Sequence, residues 1–205
     1  MNPIHQKTLS SCCLLLMSII GLCVVFSGCS FQNNLPDNQD LAEPEALVTR
    51  KSDAVHKLDE ELITLLGFQD AETSRLAYTA IQQTSILARQ YQITGFPLFH
   101  NFLVNVGIKD RGLCCHWTED LLKTLNALEL KQFRCAWVVS NYGNFREHNS
   151  VAVVPVNKEL KDGLILDPWR NGGELYWTPI DQDRYKWRLH PGYKGISANI
   201  TCETE

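Results

Sequence analysis

Three residues of the chain can combine into one chemistry: Cys114, His148 and Asp167. A thiol attacks a carbonyl carbon as its thiolate, and a thiol pKa of about 8.5 falls to roughly 3.5–7.5 at a helix N-terminus or beside a histidine. Cys114 stands in Arg111-Gly112-Leu113-Cys114-Cys115-His116-Trp117, directly ahead of an apolar pattern of helical period. The unpaired N–H groups and the dipole at a helix start stabilise negative charge, and the same N–H groups are candidate donors to an oxyanion. Gly112, two residues earlier, has no side chain to obstruct a substrate backbone. A leaving amine needs a proton, for which His148 in Arg146-Glu147-His148-Asn149-Ser150 is the candidate. A carboxylate can hold the imidazole in the right tautomer, and Asp167 in Leu164-Ile165-Leu166-Asp167-Pro168-Trp169 is placed to do so. Pro168 would stop strand pairing there, and Trp169 would shield the pair from water.

Each of these residues also has a plainer reading. Cys114 and Cys115 could be small core side chains, since free cysteine is often buried. Cys115 is the alternative nucleophile, but on a helix it projects about 100° away from Cys114. Asn101 is the candidate side-chain donor to an oxyanion, with His100 and Asn105 beside it. His116 next to two cysteines suggests a metal, yet adjacent helical residues face apart and zinc wants spaced ligands, so neither a metal nor another cofactor is expected. Cys135 and Cys202 could form a disulfide in an oxidising compartment, or Cys135 could be a buried strand residue. Glu119 and Asp120 read as a solvated helix face. Asn171-Gly172-Gly173 reads as a turn, not a phosphate cradle, because no helix opens after it.

The elements that must position these groups follow from periodicity. A first helix is expected over residues 53–66, with Val55, Leu58, Leu62, Leu65 and Leu66 on one side and Gly67 as its stop. A second runs from Asp70 to about Gln92, ended by Gly95-Phe96-Pro97, and a short third covers Phe99 to Val106. Cys114, Trp117, Leu121, Leu125 and Leu128 fall at i, i+3, i+7, i+11 and i+14, one stripe of a helix reaching about Leu130. The period then changes. Strands are expected over Phe133–Val139, His148–Val156, Gly163–Asp167 and Glu174–Trp177, with a turn at residues 141–144. Helices first and hairpin-linked strands later argue an α+β fold with the nucleophile helix packed on an antiparallel β-sheet.

A Gly-x-Cys at a helix start, a His on a strand and an Asp before Pro on the next strand resembles the transglutaminase-like superfamily, whose arrangement is papain-like. The matching stretch runs from about Arg111 to Trp169. The resemblance implies Cys114 as nucleophile, His148 as acid–base and Asp167 as orienting carboxylate. It also implies acyl transfer at amides: peptide cleavage, deamidation or transamidation, on a peptide, protein or cell-wall peptide. Two departures stand out. Cys115 follows the cysteine where the family often has an aromatic residue, and His148 lacks the tryptophan-containing neighbourhood common in eukaryotic members. A non-catalytic binding or assembly module on the same fold is the competing expectation, and a redox or structural role for Cys114-Cys115 a third.

The N-terminus reads as an address. Lys7, an apolar run from Cys12 to Phe26 and then Phe26-Ser27-Gly28-Cys29 have the form of a secretory signal. The ending resembles the lipobox of bacterial lipoproteins, which implies a signal peptide over residues 1–28, lipidation of Cys29, a lipid-bilayer anchor and a place in the bacterial cell envelope. The run is about 15 residues where a span usually needs about 20. Residues 29–52 are expected to form a lipidated N-terminus and a flexible polar tether, and residues 53–205 the domain. The 205-residue chain is 44% hydrophobic and 20% charged, a globular composition. Its net charge of −4 includes no basic stripe, which argues against nucleic acid as a partner.

Overall fold

A computed structural model describes residues 42–194. Four α-helices come first: α1 Ala42–Leu66, α2 Ala71–Gln90, α3 Pro97–Asn105 and α4 Cys114–Asn126. Five strands follow: β1 Phe133–Ser140, β2 His148–Pro155, β3 Leu164–Asp167, β4 Tyr176–Pro179 and β5 Arg188–Leu189. They form one antiparallel sheet in the order β4-β3-β2-β1-β5. The fold is therefore α+β, as the switch from helical to strand period anticipates.

Each helix has a local reason. Asp70 is extended and its carboxylate accepts from Glu72 N at 2.8 Å, capping α2. Pro97 occupies the first turn of α3, where no intrahelical N–H is lost. The start of α1 corrects the expected tether, whose last residues, 42–52, are helical. The run Glu45-Ala46-Leu47 onward is rich in good helix formers, and Pro44 falls within the first turn, where proline is tolerated. The signal segment, Cys29 and Cys202 lie outside the described residues. No described helix is long and apolar enough to cross a membrane.

Two apolar layers flank the sheet. On one face Trp117, Leu121 and Leu125 of α4 pack with Trp137, Val151, Val153, Leu164 and Leu166, and with Leu58, Leu62, Leu76 and Ala80 of α1 and α2. On the other face Val138, Ala152, Val154 and Ile165 gather with Ile180. The alternation is the period-2 geometry of strands buried on both sides. The stripe of α4 outlasts its helix: Asn126 is the last helical residue, Glu129 turns the chain at φ 50°, and Leu128 and Leu130 still pack on the core.

One long-range carboxylate ties the helical half to the sheet. Glu72, buried near the start of α2, accepts from Lys131 N at 2.7 Å and Gln132 N at 2.9 Å, just ahead of β1. Removing it would leave two backbone donors without their acceptor, a loss of about 2 kcal/mol or more. Glu72→Ala is expected to lower the urea unfolding free energy by that amount, with Glu72→Gln intermediate because its amide still offers one acceptor.

Candidate active site

The register of the sheet carries His148 and Asp167 to one end. Ser140 pairs with His148 to close the β1–β2 hairpin, so the histidine opens β2 at the rim of the sheet. Val151 pairs with Leu166, which sets Asp167 beside Ser150, two residues along from His148 on the same face. His148 Nε2 and Asp167 Oδ2 lie 2.6 Å apart, with side-chain exposures of 3% and 0%. A carboxylate only accepts, so Nε2 carries the hydrogen and Nδ1 is left to exchange a proton.

Nδ1 is buried and makes no hydrogen bond of good geometry among the described residues. Cys114, the first residue of α4, bears on the same ring: both a contact and the charge of its sulfur favour the imidazolium. Burial by itself would lower the His148 pKa, but the bond to Asp167, then Cys114, outweigh it and raise the value from 6.5 to about 9. The three residues singled out in the sequence are therefore brought together, Cys114 half-buried at a helix start and the other two enclosed.

Cys115 is disulfide-bonded, and neither Cys114 nor Cys135 is its partner, since both are free. This removes Cys115 as the alternative nucleophile and, of the two readings of Cys135, removes the bridge to Cys202. Cys135 is a buried strand thiol, pushed up to about 12 by burial.

The turn ahead of Cys114 is built differently from expectation. Gly112 sits at φ 131°, a conformation that favours glycine. A Cβ there would come within 2.3 Å of His100 Nε2, so the glycine makes room for His100 rather than for a substrate. His100 accepts from Thr94 N at 3.3 Å through Nδ1 and donates from Nε2 to Arg111 O at 3.0 Å, bracing the turn. His116 is no metal ligand candidate here: its Nδ1 accepts from Gly112 N at 3.1 Å and Leu113 N at 3.3 Å, fastening the helix start. Burial and then the nearby Arg111 guanidinium lower its pKa, which keeps that acceptor free. Glu119 and Asp120 are not simply solvated, since Arg111 donates to them at 2.9 and 3.0 Å, and Tyr91 donates to Asp120. Among the described residues no group of three or more His, Cys, Asp or Glu side chains is arranged for a metal.

Asn101, the expected oxyanion donor, accepts from Trp169 Nε1 at 3.0 Å, which ties it to the site's aromatic wall. The side-chain amide recorded at the sulfur is instead Asn149, whose Nδ2 lies 3.9 Å from Cys114 Sγ. Trp137 Nε1 donates to Asn149 Oδ1 at 2.7 Å, and because an indole only donates, the amide must turn its Nδ2 toward the sulfur. Asn149 takes the helix-facing side of β2 next to His148, a placement that strand alternation could have signalled.

Of the far wall, sequence reasoning anticipated Trp169 as a shield but missed Tyr185 and Trp187. Trp169, Tyr185 and Trp187 surround the imidazole at ring distances of 4.9, 4.8 and 5.4 Å. Arg170 Nε donates to Asp167 Oδ2 at 3.0 Å and its two terminal nitrogens grip Asp183 at 3.1 and 2.8 Å. The only hint in the sequence is an aspartate with aromatic residues two and four positions on.

No family model, curated protein or solved structure matches this chain.

The raised pKa fixes a sign. A group held above its ordinary value gives stability that is fully present below pH about 6.5 and lost as pH rises through about 9. Urea unfolding should show the wild-type advantage over His148→Asn shrinking across that window; an advantage that stays constant would mean the ion pair contributes nothing through its charge.

Proposed function

We propose that this chain is a cysteine-dependent amide hydrolase or acyltransferase of papain-like, transglutaminase-like organisation, with Cys114 as nucleophile, His148 as acid–base and Asp167 as its orienting partner. One observation carries the reading. The imidazole is locked to a buried carboxylate through Nε2 at 2.6 Å, while Nδ1 has no other partner among the described residues and a free thiol at a helix N-terminus acts on the same ring. A core histidine satisfied for stability alone would have both nitrogens engaged.

The chemistry runs in two halves. Cys114 Sγ, as thiolate beside the imidazolium, attacks the amide carbonyl carbon, forming a C–S bond and an oxyanion. The first N–H groups of α4 and the Asn149 amide are the donors for that oxyanion. The oxyanion collapses, the C–N bond breaks, and the amine leaves with the proton from His148 Nδ1, giving a thioester. Water, or a second amine, then gives a proton to Nδ1 and attacks the thioester, and the C–S bond breaks to return the thiolate. Asp167 keeps the ring oriented throughout and stabilises its charged form.

An envelope location, anchored through a lipidated Cys29, belongs to the same proposal. The apolar run ahead of Phe26-Ser27-Gly28-Cys29 supports it. So does the disulfide at Cys115, since such bonds persist in oxidising compartments.

Brief iodoacetamide treatment of the full chain at near-neutral pH, followed by mass mapping, tests the nucleophile. Cys114 should be alkylated well ahead of Cys135, and His148→Ala should slow that alkylation by about tenfold or more. With an acyl p-nitrophenyl ester, Cys114→Ala should abolish the burst of acyl-enzyme, and His148→Ala should slow turnover by roughly 10²–10⁴. Alkylation of Cys114 that is indifferent to His148, with no burst, would return the chain to a non-catalytic binding module.

A further inference from the structure

The carboxylate that holds the histidine is not paired with the histidine alone. Asp167 Oδ2 also accepts from Arg170 Nε at 3.0 Å, and Oδ1 accepts from Arg170 N at 3.1 Å. Arg170 in turn presents both terminal nitrogens to Asp183, at 3.1 and 2.8 Å. Asp183 is itself buried and accepts further from Tyr185 N at 3.3 Å and Trp187 Nε1 at 2.9 Å. The guanidinium is also held against the rings of Tyr176 and Tyr185, at 4.1 and 5.1 Å. The sequence His148–Asp167–Arg170–Asp183 is thus a row of alternating charge with little water in it, where each charge acts strongly on the next but one.

We propose that Arg170 and Asp183 are positioning residues that set how firmly Asp167 holds the protonated His148, Arg170 weakening the hold and Asp183 restoring it. The proposal rests on the reading of His148 as the partner of Cys114. Its physics is simple. A cation on Asp167 offsets the carboxylate that the imidazolium needs, and would leave the ring too readily neutral. A second carboxylate on the far side of that cation draws its charge outward. The same carboxylate fixes Tyr185 and Trp187, two of the three rings that keep the site dry, so charge and enclosure are set by one residue.

The groups that face His148 are few. Asp167 reaches it from β3, Cys114 from α4 and Tyr185 from the segment between β4 and β5, while Arg170, from the segment after β3, and then Asp183 stand behind Asp167. Glu147 precedes it and is engaged by Asn149 Nδ2 at 3.0 Å, and Arg184 lies 5.0 Å from the Tyr185 ring. Within this set Arg170 and Asp183 are the only pair whose removal changes the charge next to Asp167 in opposite directions.

That opposition gives the test. The full chain, labelled with ring-¹³C histidine, is titrated by NMR in its wild-type, Asp183→Asn, Arg170→Gln and doubly substituted forms. Asp183→Asn keeps the shape but frees Arg170 to act on Asp167 alone, so the His148 midpoint should fall by about one pH unit; Arg170→Gln should raise it by a similar amount. The double variant should return close to wild type, and the alkaline limb of acyl-ester turnover should move with the midpoints. Purely structural roles would reduce stability without moving the midpoints in opposite directions. Midpoints that move together, or not at all, in folded variants overturn the proposal; if Arg170→Gln does not fold, a midpoint that stays or rises in Asp183→Asn is sufficient to do so. Midpoints that move as stated while Cys114 stays inert to alkylation and acyl ester would leave the charge row standing and remove the catalytic reading.

Discussion

The buried contact between His148 and Asp167 is the constraint around which this molecule is arranged. Two ionisable groups with 3% and 0% exposure are stable only together, because breaking such a pair by removing one partner costs about 3–5 kcal/mol. Each further feature of the site answers a demand this contact creates. The carboxylate has lone pairs left over, and Arg170 fills them. The guanidinium would be an excess buried charge, and Asp183 balances it. The imidazole faces need apolar cover, and Trp169, Tyr185 and Trp187 supply it. What remains open is Nδ1, the one ring nitrogen without a hydrogen-bond partner among the described residues, so stability is met by Nε2 alone.

The scaffold delivers this contact through register rather than through a dedicated loop. An antiparallel pairing that ends at Ser140–His148 fixes the histidine at the rim of the sheet, and a one-residue slip would move it to the other face. The thiol arrives from the opposite layer, at the start of a helix whose buried face, Trp117, Leu121 and Leu125, is locked into the core. Histidine and cysteine therefore meet at the end of the sheet although they belong to different sides of it. The turn before Cys114 is fastened from two directions, by His100 beneath Gly112 and by His116 folding back on Gly112 N and Leu113 N. A mobile turn would blur the helix start that carries Cys114.

The sequence made the helix that begins at Cys114, four of the five strands and the histidine–aspartate placement legible because all three are local patterns: a stripe of period 3.6, alternating strands, an aspartate stopped by proline. It failed where partners are distant or where period is absent. Residues 180–194 contain no clear alternation, so Asp183, Tyr185 and Trp187 carried no signal although they complete the site. Asn101 was read as a donor to substrate, but its oxygen is committed to Trp169, a contact spanning 68 positions that no local rule can supply. The start of α1 was hidden by Pro44 and the acids around it, which look like a linker yet are all acceptable in a first helical turn. Glu119 and Asp120 looked solvated because sequence period shows which face is apolar, not which charges across a turn need a counterion.

The doublet Cys114-Cys115 shows how helix geometry divides two chemically identical residues. A rotation of about 100° per residue turns one thiol toward the rim of the sheet and the other away from it. The first is free and acts on the His148 ring; the second is consumed in a disulfide. A free thiol beside a disulfide risks exchange, which requires the thiolate to reach a sulfur of its neighbour in line. The helix keeps the two side chains on different faces. A doublet that looks redundant in the sequence thus becomes, on a helix, one free thiol at the His148 ring and one half of a disulfide.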